Sequence, residues 1–219
     1  MYVLLDNNWY LPYQEIKDDF QTGDVLLVHG RYEFSIAIEA VQWSPFSHVG
    51  MIVRAKDIGL AGKAPELLLW EANSLTNLPD VITGQAKPGP MLVDLEERLS
   101  RTAKDFEDVK FAFKPLHLTP ETTVGTALQE LIPTVNQTGF PTDEEMAIRF
   151  FEGRYRGLPA PTDAFFCSEL LAYTFIEMGL LGTKYPINAY APKDFSDEGT
   201  VRLRKRAYFG NERFFNPPL

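Results

Sequence analysis

His48-Val49-Gly50-Met51-Ile52-Val53 is a β-rich run, and it follows a loop, Trp43-Ser44-Pro45-Phe46-Ser47, that a proline breaks. A second run, Leu67-Leu68-Leu69-Trp70-Glu71-Ala72, follows a connection from Asp57 to Pro65 that holds two glycines and a proline. The pair reads as an antiparallel hairpin turning near Leu60. In a hairpin the start of the first strand lies beside the end of the second, so His48 and Glu71 become neighbours at one end of the sheet. Leu67, Leu69, Glu71 and Asn73 share one face of the second strand; Leu68, Trp70 and Ala72 share the other.

Working outward, Gly23-Asp24 reads as a turn into a buried strand, Val25 to Val28. Met91 to Leu95 and Lys110 to Leu118 read as further strands, and a closing strand is expected near Val201 to Leu203. Phe34, Ile38 and Val41 share a face, which predicts a helix over Tyr32 to Val41. Thr122 to Leu131 looks helical, and Thr142-Asp143-Glu144-Glu145 resembles a capped helix start running to Phe151. Pro120 to Leu158 therefore reads as a helical insertion or cap. Near the end, Thr162 or Asp163 could cap a helix on which Phe166, Leu170, Thr174 and Met178 recur at helical spacing and which Gly179 ends. Strands grouped centrally with helices towards both ends predict an α+β fold.

The chain has 219 residues, 45% of them hydrophobic, which fits a single domain over 1–219 with 120–158 as the insertion. A formal net charge of -9 argues against nucleic-acid or anionic-membrane partners. The cluster Arg202, Arg204, Lys205 and Arg206 reads first as a solvated segment and second as a phosphate-binding patch. The N-terminus lacks the basic and apolar regions of a signal peptide, and no apolar stretch reaches the length of a membrane span. A single cysteine excludes an internal disulfide framework and fits a reducing, cytoplasmic setting. Three histidines and one cysteine without short ligand spacing make a metal site unexpected.

That cysteine, Cys167, falls in Phe165-Phe166-Cys167-Ser168-Glu169-Leu170-Leu171, at the first turn of the expected helix. Unpaired backbone N–H groups and the helix dipole there favour a thiolate, although an arbitrary lone cysteine is more often a buried small hydrophobe. A cysteine nucleophile needs a base, and a third group to orient that base. His48 and Glu71 fit those roles. His29 at another strand end is a competing base, His117 a weaker one, and Asn73 an alternative orienting group.

The order Gly23-Asp24-Val25-Leu26-Leu27, Ser47-His48-Val49-Gly50, Trp70-Glu71-Ala72, then Phe166-Cys167-Ser168-Glu169-Leu170 resembles the permuted papain-like branch of the NlpC-type cysteine hydrolases, in particular the YiiX/YebB-like group. Ala191-Pro192-Lys193-Asp194-Phe195 looks like that group's Ser-Pro-x-Asp segment. The resemblance covers residues 20–75 and 160–200. It implies a permuted papain-like fold: a central antiparallel sheet, with the cysteine-bearing helix packed against it. It also implies a cysteine hydrolase with Cys167 as nucleophile, His48 as general base and acid and Glu71 as the orienting residue. No cofactor is implied.

An amide or peptide bond is the first expectation for the substrate. The branch also resembles lecithin:retinol acyltransferase-like enzymes, so a lipid ester or lipid amide is the alternative. Trp43, Phe46, Phe165 and Phe166 could line an acyl groove, though core packing is the more ordinary role for such aromatics. A non-catalytic binding protein on the same fold is a further alternative, and a redox-sensing thiol ranks below it.

Overall fold

Phe46–Arg54 is buried along its whole length because layers cover both of its faces. The computed structural model describes residues 3–5, 8–30, 46–120 and 122–218; the helix expected over 32–41 and the turn at 43–45 lie outside them. In chain order the strands are β1 (Val3–Leu5), β2 (Asn8–Pro12), β3 (Val25–His29), β4 (Phe46–Arg54), β5 (Leu67–Asn73), β6 (Gly89–Asp94), β7 (Lys110–Lys114), β8 (Leu116–His117), β9 (Tyr208–Phe209) and β10 (Arg213–Asn216). The helices are α1 (Tyr13–Ile16), α2 (Leu95–Asp105), α3 (Gly125–Val135), α4 (Asp143–Phe151) and α5 (Cys167–Glu177). The fold is α+β.

The main sheet has the order β1-β2-β10-β7-β3-β4-β5-β6. Neighbours pair antiparallel except β10 with β2, which are parallel, so the sheet is mixed rather than purely antiparallel as expected. The C-terminal strand returns to insert beside β7, and its antiparallel pairing there (Phe214 opposite Ala112) leaves it parallel to β2 on its other side.

Strand alternation sorts the core into two layers. Val25, Leu27, Val49, Met51, Val53, Leu68 and Trp70 pack with Leu170, Leu171 and Phe175 of α5 and Leu128 and Ile132 of α3. On the opposite face Leu26, Val28, Ile52, Leu69, Met91 and Val93 pack with Leu95 and Leu99 of α2. The segment expected as an insertion thus puts α3 into the same core as α5. A buried hydrogen bond from Asn136 Nδ2 to Asp80 Oδ2, 2.7 Å, ties the end of α3 to the loop before β6. The helix lies slightly later than Thr122–Leu131, running from Gly125 to Val135. α4 begins with the expected capping box: Thr142 Oγ1 accepts from Glu145 N, and Glu145 Oε2 accepts from Thr142 N.

Several strand readings differ from expectation. The strand placed over Met91–Leu95 stops at Asp94, whose carboxylate caps α2 by accepting from Glu97 N at 3.0 Å. The strand placed over Lys110–Leu118 is split at Pro115, and its second piece, β8, pairs with β9 in a separate sheet. No strand forms over Val201–Leu203. There Arg204 N donates to Leu180 O, 2.7 Å, holding the segment against the end of α5, and the backbone turns left-handed at Lys205 and Arg206 (φ 55 and 61).

Candidate active site

The register of β4 and β5 brings the first two site residues together. Paired positions run from Arg54 opposite Leu67 to Met51 opposite Trp70. His48 and Glu71 stand beyond the last of these pairs, at the same end of the sheet. His48 Nε2 meets Glu71 Oε2 at 2.6 Å, with both side chains buried.

α5 supplies the third. The helix starts with Phe166 as N-cap (φ -93, ψ 169) and Cys167 as its first helical residue. Neither Thr162 nor Asp163 caps it. Asp163 instead pairs with Arg149 of α4 at 2.9 Å. Phenylalanine has no side-chain acceptor, and the N-terminal turn is closed from the other side: Glu169 Oε2 accepts from Phe166 N at 3.4 Å. Phe166 itself is locked under Met146 and Phe150 of α4 and beside Ala191. Trp70 Nε1 donates to Thr174 Oγ1 (3.0 Å), fixing α5 against β5, and Ser168 Oγ donates to Tyr190 O (2.8 Å). Gly179 ends the helical run with φ 69, a conformation that costs a β-carbon-bearing residue but not glycine.

In this frame Cys167, 7% exposed, stands among the groups whose interaction with His48 sets the state of its imidazole. Burial opposes a charged ring at His48, but the hydrogen bonds to Cys167 and then Glu71 outweigh it and push the imidazole up to about 9. Burial likewise opposes the Glu71 carboxylate. Arg98 on α2 foremost, then His48 and Asn73, overcome it and hold Glu71 down to about 2.

Arg98 is the member that sequence reasoning missed. Its Nε lies 2.7 Å from Glu71 Oε1, its Nη1 donates to Asn77 Oδ1 at 2.8 Å, and it is 2% exposed. The signal was present: Asp94-x-x-Glu97 opens a helix whose buried face is Leu95, Arg98, Leu99 and Thr102. An arginine on the apolar face of an amphipathic helix announces a buried acid nearby. Cys167, His48, Glu71 and Arg98 thus form one continuous chain of polar contacts, with Asn73 Nδ2 donating to the same Glu71 oxygen as His48 at 3.3 Å. Asn73 braces Glu71; it does not replace it.

The other expected candidates lie elsewhere. His29 ends β3 opposite Phe46, its ring edge-on to that phenylalanine at 5.9 Å. His117 stacks on Tyr208 at 4.6 Å in the small sheet. Phe46, expected in a loop, belongs to β4, and Phe46, Phe165 and Phe166 are buried packing residues. Trp43 lies outside the described residues.

Among the described residues no group of three or more His, Cys, Asp and Glu side chains could hold a metal ion, and no helix is long and apolar enough to cross a membrane. No family model and no curated protein matches the chain. Among solved structures it is similar to metalloprotein yiiX from Escherichia coli O157:H7, at 19% identity and a TM-score of 0.40, over 75% of this chain and 73% of that one.

Proposed function

We propose that this protein is a cysteine hydrolase of permuted papain-like design, cleaving an amide or peptide bond through a thioester. The observation that carries this reading is the buried chain Cys167–His48–Glu71–Arg98 at the start of α5. Cys167 attacks the carbonyl carbon as a thiolate, its proton already held by His48, whose imidazole is raised to about 9. The carbonyl oxygen becomes an oxyanion, and the backbone N–H of Cys167, one of the donors a first helical turn leaves unsatisfied, stabilises it. His48 then protonates the leaving amine as the C–N bond breaks, giving the thioester. Water attacks that thioester, His48 takes the water's proton, and the acid product leaves as the thiolate–imidazolium pair is restored. Glu71 accepts the hydrogen bond from His48 Nε2 and keeps the other ring nitrogen turned towards sulfur; Arg98 keeps Glu71 ionised.

Lipid-directed acyl transfer on the same residues is the second reading. It is favoured by a row of large apolar side chains left exposed along α4 and the turn after it: Ile148, Phe151, Tyr155 and Leu158. Treatment of the protein with a panel of electrophilic amide and lipid-ester probes tests both. Labelling of Cys167 is expected in the unaltered chain and none in Cys167→Ala, with His48→Gln slowing it by about 10²- to 10⁴-fold. The probe class that labels faster identifies the substrate class. Turnover retained in Cys167→Ala would overturn the proposal, as would labelling no faster than that of a free thiol.

A further inference from the structure

Away from Cys167 and His48, a cavity of about 600 Å³ opens between four separate segments. Arg154 comes from the turn after α4. Leu181, Lys184 and Tyr185 follow α5, Tyr190 and Asp194 come from the next loop, and Arg202 comes from the C-terminal segment. Its volume is that of a small-molecule site, for which roughly 300–1,000 Å³ is usual. The floor is apolar: Leu181, Ala189 and Tyr190 are buried, while Tyr185 stands half-exposed at the edge.

The rim is cationic in a chain whose net charge is -9. Three cations line it against one carboxylate, and that carboxylate is already engaged. Asp194 accepts from Arg154 at 2.9 and 3.2 Å and from the Ala191 backbone at 2.9 Å. Among the described residues neither Lys184 nor Arg202 has a carboxylate partner. Lys184 lies over the Tyr185 ring at 5.0 Å. Arg202 also lines a second cavity of about 340 Å³ that shares Asp194 and Val201 with the first. Its neighbours explain why it is turned this way. Lys205 Nζ is drawn to Met178 O at the end of α5, and Arg204 N to Leu180 O, so the basic segment is pinned to the helix end. Arg202 stands upstream of that anchor, at the cavity.

We propose that this cavity binds a small amphipathic anion, with a carboxylate or phosphate held by Arg202 and Lys184 and an apolar body against Leu181, Tyr185 and Tyr190. Guanidinium and ammonium groups without acid partners supply the charge-assisted hydrogen bonds such a head group needs. Arg154, tied to Asp194, shapes the wall and does not have to move. The site is independent of Cys167 chemistry, although the wall reaches the proposed active site through the Ser168 Oγ to Tyr190 O hydrogen bond.

The test is an amide NMR titration of the isotope-labelled full chain with phenyl phosphate, benzoate and the uncharged benzyl alcohol. Saturable shifts are expected for residues 181–185 and 200–202 with either anion, and none with benzyl alcohol. If only one anion binds, the site stands and its head group is identified. Lys184→Gln with Arg202→Gln, both at exposed side chains, is expected to weaken binding by about tenfold or more. Cys167→Ala is expected to bind as the unaltered chain does, whatever the outcome for catalysis. The proposal is overturned if neither anion saturates, if benzyl alcohol binds equally well, if the double variant binds unchanged, or if Cys167→Ala abolishes binding.

Discussion

Replacing Arg98 by methionine removes the cation that holds Glu71 ionised, together with the donor that Nη2 presents to Met91 Sδ at 3.7 Å. Glu71 is fully buried and would lose the 2.7 Å ion pair at Oε1, retaining only His48 at 2.6 Å and Asn73 at 3.3 Å on Oε2. Asn77 Oδ1 would lose its donor as well. Removing one partner of a buried pair leaves an uncompensated charge and costs about 3–5 kcal/mol. For a chain of this size that is a fall in Tm of roughly 6–20 °C. The acid side of the stability profile should move too. Glu71 sits at about 2 against an ordinary 4.5, so its contribution is complete above 4.5 and lost as pH falls through 2. Without Arg98, the largest opponent of burial, that loss should begin at higher pH. Urea melts of Arg98→Met, Glu71→Gln and the double variant close a thermodynamic cycle. The double variant should recover part of the loss, because no buried carboxylate then lacks its cation. Two strictly additive single losses, or an Arg98→Met variant of unaltered stability, would refute the reasoning.

Other expectations concern titration and packing. His48 is raised from 6.5 to about 9, so its contribution to stability is fully present below 6.5 and is lost as pH rises through 9; urea melts across that window should show a decline that His48→Gln flattens. Glu169 is raised to about 8, chiefly by burial, so the folded state holds a proton that the unfolded chain has released above 4.5. Stability should therefore fall with rising pH between 4.5 and 8, and Glu169→Gln should remove that slope, gaining on the order of 4–5 kcal/mol relative to the unaltered chain at the upper end, as read from denaturant midpoints. A β-carbon at Gly153 would meet Ala189 N and Asn188 C at 2.7 Å, so Gly153→Ala should lower stability by about 1–3 kcal/mol in calorimetry as the turn after α4 is forced off the 188–190 loop.

Much of the fold near the site was legible because local patterns and tertiary packing agree there. The alternation of β4 and β5 is enforced by a layer on each face, and it is this alternation that puts Leu69 and Glu71 on the α2 side and Trp70 on the α5 side. The boundary errors share one cause. At Asp94, Pro115 and Val201–Leu203 the local composition favours an extended chain, but a cap, a missing donor and a hydrogen bond to the end of α5 respectively decide otherwise. The N-cap of α5 was misplaced for the same reason. Asp163 is a good cap by chemistry, yet Arg149 on the preceding helix, 14 residues earlier, claims its carboxylate.

The sequence by itself determined the strands that carry His48 and Glu71, the helix that begins near Cys167, and their order along the chain. Periodicity and turn residues act over a few neighbours and need no partner to be read. Only the tertiary structure decided that α5 brings Cys167 to His48, that Arg98 stands behind Glu71, and that Arg202 lines a cavity together with Lys184. Those outcomes are set by contacts between segments tens of residues apart, where burial strips away water and makes each charge depend on whichever partner the packing delivers.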